Sequence, residues 1–135
     1  MLDAVRSGAT DPHIEGVEVR VRAALAATVN DALESDGFVV GCPANLGYLA
    51  GAVKHFFDTI YYPCLEDTVG RPFAAYLHGN DDTEGARRAL EKITTGLRWK
   101  PAAEVVECRG EPDGLMLDAC WNLGATVAAL ISPAQ

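Results

Sequence analysis

Two stretches of this chain are apolar on both faces, and a polypeptide has few ways to hide such stretches. Phe38-Val39-Val40-Gly41 is an unbroken apolar run, and Pro72 to Leu77 is nearly one. A strand with one wet face alternates apolar with polar residues. A strand apolar on both sides belongs in a parallel sheet covered by helices above and below. The residues after each run agree with that placement. After the first comes a loop from Cys42 to Gly47, held by Pro43 and loosened by Gly47. A helix comes next, from about Ala50 to Tyr61, with Ala50, Val53, Phe57 and Ile60 on one side. After the second comes a polar loop, His78 to Asp82. Its helix, about Thr83 to Leu97, buries Ala86, Leu90, Ile93 and Leu97 and pairs Glu84 with Arg88 on its wet side.

The flanks extend the alternation. Val17, Val19 and Val21 alternate with Glu18, Arg20 and Arg22, the period of a strand with one apolar face. Met1 to Arg6 reads as part of a helix ended by Gly8. Asn30 to Glu34 reads as a short helix capped by Asn30 or Asp31. Val105-Val106 marks a short strand whose charged neighbours Glu104, Glu107 and Arg109 place it at an edge. A last helix, about Leu115 to Leu130, is expected to bury Leu117, Cys120 or Trp121, Gly124, Ala128 and Ile131 before Ser132-Pro133 stops it. Helix and strand alternate throughout, which predicts an α/β fold of three layers, α/β/α, around a parallel sheet. The 135 residues fit a single domain.

Charge and cysteine usage narrow the function. Eleven Lys and Arg against nineteen Asp and Glu give a net charge of −8, which repels nucleic acid and anionic membranes. Cys42, Cys64, Cys108 and Cys120 form no C-x-x-C pair and have no His cluster beside them, so no zinc site is expected. They read as scattered, half-buried thiols of a reducing compartment, and a cytoplasmic location is expected. The longest apolar run, Gly124 to Ile131, is too short for a membrane span. No Ser–His–Asp, Cys–His or paired-carboxylate set stands out, so no catalytic residue is assigned. His55 reads as solvated, Cys42 as a packing residue, Trp99 and Trp121 as core or interface, and Asp81-Asp82 as a capping pair.

In an open α/β sheet, ligands bind beyond the carboxyl ends of the strands. Two loops there are rich in Gly, Asn, Asp and His: Gly41 to Tyr48, and His78 to Asp82. The first, continued as Leu49-Ala50-Gly51-Ala52-Val53-Lys54-His55-Phe56-Phe57-Asp58-Thr59, resembles the signature of flavodoxin-family and NADPH-dependent FMN reductase-like proteins. Their pattern is a strand, G-x-P-x-x-x-G, small residues, then K-x-F-x-D. Gly70-Arg71-Pro72 is similar to the family's G-K-P before its fourth strand, and His78-Gly79 to that strand's terminal loop. The resemblance spans roughly Gly16 to Ile131. It implies FMN as cofactor, with Pro43, Ala44, Asn45, Leu46, Gly47 and Tyr48 against one side of the isoalloxazine ring. His78, Gly79, Asn80 and Asp81 would lie at its other edge. Ala44 stands where the family often has Thr or Ser, and Asp81-Asp82 brings negative charge near an anionic cofactor.

The family opens with an apolar strand and a Ser/Thr/Gly loop that wraps the FMN phosphate at a helix N-terminus. Met1 to Val5 aligns with the middle of the helix after that loop, so the first strand and phosphate loop are expected to be missing and the domain N-terminally incomplete. In the flavodoxin strand order 2-1-3-4-5, that gap falls between Val17–Val21 and Phe38–Val40, leaving both without partners. The resemblance implies an FMN-dependent oxidoreductase passing electrons from NAD(P)H to a quinone or similar acceptor in the full-length product. Its alternatives are a flavodoxin-type electron carrier with a protein partner, and a cofactor-free scaffold or truncated protein. Association into homo-oligomers is a further family expectation.

Overall fold

A computed structural model describes residues 1–133. Its elements are α1 (Leu2–Ala9), α2 (Val29–Glu34), β1 (Phe38–Asn45), β2 (Tyr48–Leu49), α3 (Gly51–Cys64), β3 (Pro72–Gly79), α4 (Glu84–Gly96), β4 (Lys100–Pro101), β5 (Val106–Arg109) and α5 (Gly114–Ile131). β3 is the centre of the sheet. β1 runs parallel to it, from Phe38 opposite Phe73 to Pro43 opposite His78. Along its other side lie β4 and β5, both parallel, pairing first at Pro72 and Phe73 and again from Tyr76 to Gly79. The two behave as one interrupted edge strand, longer than Val105-Val106 suggests.

Alternation along β3 makes the layers. Phe73, Ala75 and Leu77 face α3 and α4, where Phe57, Ile60, Ala86, Leu90 and Leu97 close the larger core. Ala74 and Tyr76 face Leu123 and Val127 of α5. Trp99 seals the end of the larger core. It stacks on Phe38 with ring centroids 4.0 Å apart, and its indole N–H donates to Thr68 Oγ1 at 2.8 Å, so the buried polar pair satisfies itself. Arg71, from the Gly70-Arg71-Pro72 motif, donates to the carbonyls of Ala32, Leu33 and Ser35 and so ties the end of α2 beside β3. α2 begins one residue earlier than expected. Its cap is Thr28, in a reciprocal box with Asp31, rather than Asn30 or Asp31 itself.

Several expectations are corrected. β1 runs on through Asn45, so Cys42 to Asn45 is strand rather than loop, because β2 folds back on its end. α3 continues past Tyr61 to Cys64, with Pro63 on the exposed side of its last turn. On α5 the buried stripe is Cys120, Leu123, Gly124, Val127 and Ala128, while Leu117 points outward. The crossing with α1 sets that stripe. A methyl group on Gly124 would fall on the Val5 carbonyl, and one on Gly8 on the Trp121 carbonyl, so the helices touch backbone to backbone. At 18 residues and a mean hydropathy of 1.4, α5 is also long and apolar enough for a membrane span by length and composition, unlike the shorter run read from sequence. Here one stripe of it covers the sheet. All four cysteines are buried free thiols rather than half-buried ones.

The largest correction concerns Val17 to Val21. The segment is extended and alternates as expected, but it forms no ladder. Among the described residues no backbone hydrogen bond joins residues 17–22 to another element. Side chains hold it instead: Arg20 pairs with Glu18 at 3.0 Å and Glu34 at 2.7 Å, and Arg22 lies 3.7 Å from Asp31. Between it and β1 lies a cavity of about 600 Å³. The order across the molecule is therefore extended segment, gap, β1, β3, then β4 with β5.

Candidate functional site

The carboxyl ends of β1, β3 and β5 meet at one edge of the sheet. β1 ends in a hairpin, with Ala44 opposite Leu49 and Asn45 opposite Tyr48, so Leu46 and Gly47 form a two-residue turn. Both have positive φ, 52° and 79°, the signature of a type I′ turn whose twist matches that of the strands. Gly47 meets the requirement freely. Leu46 does not, and its side chain is 99% exposed at the tip.

The hairpin leans on α4. The Gly47 carbonyl accepts from the Ala86 N–H at 2.8 Å, and the Tyr48 ring lies over Gly85, where an added methyl would come within 3.1 Å of it. Gly85 is thus small because a loop backbone and an aromatic ring occupy the space beside it. A groove of about 490 Å³ runs between Leu46–Tyr48 and the Asp82 to Lys92 side of α4. Tyr48 remains 69% exposed.

On the β3 side, Pro43 is the direct neighbour of His78, and Gly79 sits against Ala44, where a Cβ would stand 3.2 Å from Ala44 Cβ. His78 is pinned: its Nε2–H donates to the Gly110 carbonyl at 2.6 Å. The Gly110 N–H in turn donates to the Gly79 carbonyl at 2.8 Å. That brings in a third loop, Arg109 to Asp113, which sequence reasoning missed. Its signal was a glycine directly after a short strand, and Gly110 indeed has φ of 80°. Asn80 and Asp81 are exposed beyond Gly79. Asp82 is exposed as well, but its Oδ1 accepts the Glu84 N–H at 2.9 Å, so it is the capping half of the expected pair. Thr83 is fully buried and donates to Glu107 Oε1 at 2.8 Å.

All ten candidate residues therefore lie along one edge. Pro43, Ala44, His78 and Gly79 are packed side by side, Asn45 to Tyr48 stand over them on the hairpin, and Asn80 and Asp81 are the exposed continuation. Cys42 is the structural residue beneath. Its thiol donates to the Pro43 carbonyl at 3.1 Å, its sulfur accepts the Ala50 N–H at 3.3 Å, and burial pushes its pKa up. The edge offers a flat ring the exposed face of Tyr48, with Asp82, Glu84, Arg88 and Lys92 lining the groove beside it.

No protein-family model matches the chain. It is 40% identical over 97 residues to a flavodoxin of Aquifex aeolicus (strain VF5), covering 72% of this chain and 51% of that protein, so it spans about half the length of that curated relative. Among solved structures, a flavodoxin from the domain Archaea superposes with a TM-score of 0.79 at 18% identity, covering 93% of this chain and 84% of that one. A flavodoxin, WrbA-like protein from Agrobacterium tumefaciens gives 0.73 at 16% identity, with 95% and 85% covered. Taken with the sheet order and the loops at its carboxyl edge, these likenesses make the chain a member of the flavodoxin-like family.

Proposed function

We propose that this chain is an electron-transfer protein that uses FMN, its ring held against Pro43–Tyr48 on one side and His78–Asp81 on the other. The juxtaposition of Pro43 with His78 under an exposed Leu46-Gly47 turn carries this reading, because it sets two backbone-rich loops around one slot-like edge. When bound, the cofactor supplies the redox chemistry, and the protein contributes position and electrostatics. The chain's own part is then specific. Tyr48 and Leu46 offer apolar cover that excludes water. His78 stays locked to Gly110 as an orienting group. Asp81 adds negative charge at the rim.

Two finer readings divide on what takes the electrons. One is a reductase that accepts hydride from NAD(P)H and serves a quinone or similar acceptor. The other is a one-electron carrier, and the net charge of −8 favours it, since an acidic surface steers toward a basic protein partner.

The test is fluorescence quenching of FMN and riboflavin by this chain, then NAD(P)H oxidation with a quinone. The candidate residues are those the reading sets against the ring, so Tyr48→Ala is expected to weaken binding of both. A folded chain that quenches neither overturns the reading. Steady NAD(P)H turnover selects the reductase over the carrier.

A further inference from the structure

The four buried thiols do not share one core. Cys42 and Cys64 belong to the core that α3 and α4 close over the sheet, and they are far apart within it. The Cys42 sulfur accepts the Ala50 N–H at the start of α3, whereas Cys64 ends that 14-residue helix, about 20 Å away at 1.5 Å per residue. Cys108 lies on the opposite face. Its neighbour in β5, Glu107, points to the α4 side, where it accepts from the Thr83 hydroxyl and lies 3.5 Å from Arg87. Alternation therefore turns Val106 and Cys108 toward α5, and Val106 does pack with Leu123 and Val127 of that helix.

Cys120 opens the buried stripe of α5, one turn before Leu123 and Gly124. α5 runs back under the sheet. Its far end reaches the start of β1, where a methyl on Gly37 would meet Val127 and Ile131. One turn back along α5 from Leu123, and two residues on along β5 from Val106, Cys120 and Cys108 come together. Both are buried, at 0% and 2% exposed. The raised pKa of Cys120 comes chiefly from burial, and Cys108 raises it further. Cys108 is also joined to the site edge. It sits beside His78 in the ladder, and its S–H donates to the Gly110 carbonyl at 3.5 Å, the oxygen that also accepts the His78 Nε2–H.

We propose that Cys108 and Cys120 are an oxidisable pair, closed to a disulfide by a peroxide, and that closure loosens the Gly110 brace over His78. The Cys108 sulfur attacks one peroxide oxygen as the O–O bond breaks, which gives a sulfenic acid and one water. The Cys120 sulfur then displaces that hydroxyl, which leaves as a second water. The two thiols together give up two electrons and two protons to the peroxide. Burial holds both thiols above their ordinary pKa, so the reaction is slow and follows opening of the Arg109 to Asp113 loop. Once bonded to Cys120, Cys108 has no S–H left for Gly110.

The test is hydrogen peroxide on the whole reduced chain, quenched with catalase, followed by unfolding, thiol blocking and peptide mass mapping. The expected product has lost two hydrogens, carries a Cys108–Cys120 crosslink reversed by dithiothreitol, and returns Cys42 and Cys64 as thiols. Cys120→Ala should replace the crosslink by oxygen addition at Cys108, while Cys64→Ala should keep it. The mapping on the unsubstituted chain decides the pairing even where a variant does not fold. In amide exchange, the Gly110 N–H, which donates to the Gly79 carbonyl at 2.8 Å, should exchange at least about twofold faster in the oxidised chain, the worth of a weak hydrogen bond. Crosslinks scrambled among the four thiols, crosslinks between chains, or none under peroxide that oxidises the unfolded chain would overturn the pair. A Cys108–Cys120 crosslink with Gly110 exchange unchanged would overturn its coupling to the site.

Discussion

Leu46→Asn should make the protein more stable and its candidate site worse. Leu46 occupies the first turn position of the β1–β2 hairpin with φ of 52°. The left-handed region costs an ordinary L-residue about 1–2 kcal/mol, because Cβ crowds the next carbonyl. Asn tolerates that region, and Asn-Gly is the preferred pair for a type I′ turn. In most places replacing Leu by Asn would forfeit burial worth about 1.5–3 kcal/mol. Here the side chain is 99% exposed, so there is almost no burial to lose. The net is a gain of about 1 kcal/mol, or a rise in melting temperature of about 3–5 °C for a domain this size. Strain kept in a fully exposed apolar side chain at a site rim is what a contact surface requires rather than what folding requires. The same variant should therefore weaken flavin quenching while raising the melting temperature, measured by calorimetry and fluorescence on one preparation. A neutral or lower melting temperature would show that Leu46 packs against the protein in solution, and the strain argument would fail. Higher stability with unchanged quenching would leave the turn chemistry standing and remove Leu46 from the site.

Other outcomes rest on particular contacts. Gly124→Ala should destabilise by about 1–3 kcal/mol, since its methyl meets the Val5 carbonyl, whereas Gly51→Ala, with nothing within 4 Å, should stabilise by a few tenths to about 1 kcal/mol in chemical denaturation. Trp99→Phe strands the buried Thr68 hydroxyl from its indole donor and should cost about 1–3 kcal/mol by the same measurement. Burial raises the pKa of all four thiols, so alkylation of the native chain at pH 8 should proceed only as fast as the chain opens; fast modification of any one would show that it is not buried. Asp31 is held below its ordinary value of 3.8, chiefly by the Thr28 backbone N–H, so its contribution is present above about 3.8 and lost as pH falls through the lower folded value. Asp31→Asn should accordingly flatten the acid limb of the stability profile below pH 4, and an unchanged limb would mean the capping box is not formed.

The central fold was legible because its signal is a burial pattern. Phe38 to Gly41 and Pro72 to Leu77 are apolar on both faces because helices lie on both sides of them, and no tertiary detail is needed to see that. The errors fall where a neighbour outvotes local chemistry. Pro43 argues for a loop, yet β1 continues through it because β2 and β3 pair on either side of its end. Leu117 fits the helical period of α5, yet Leu123 and Val127 are inside because Gly8 and Gly124 fix how α1 crosses. Val17 to Val21 carries a full strand pattern and stays unladdered, since alternation reports which face is apolar and not whether a partner is alongside.

At the site, two loops came from their composition at strand carboxyl ends, with a resemblance assigning their residues, and the third joined the site only from coordinates. Arg109 to Asp113 has no motif of its own. Its place depends on β5 pairing with β3 in a register that sets Cys108 beside His78 and Arg109 beside Gly79. That register also decides what His78 does. As a lone histidine at a strand end it is open to many roles, but once Gly110 lies over it, Nε2 is committed to a backbone carbonyl 2.6 Å away. The ring then orients and does not shuttle protons through that nitrogen. Gly79, Gly110 and His78 thus form one braced unit, and the hairpin tip is the less braced part of this edge. There the Ala86 N–H and the space over Gly85 are the main described restraints on Gly47 and Tyr48. A ligand entering this edge would meet a wall cross-braced by hydrogen bonds on the β3 side and one with fewer restraints on the β1 side, so its affinity should respond more to Gly85 and Leu46 than to His78.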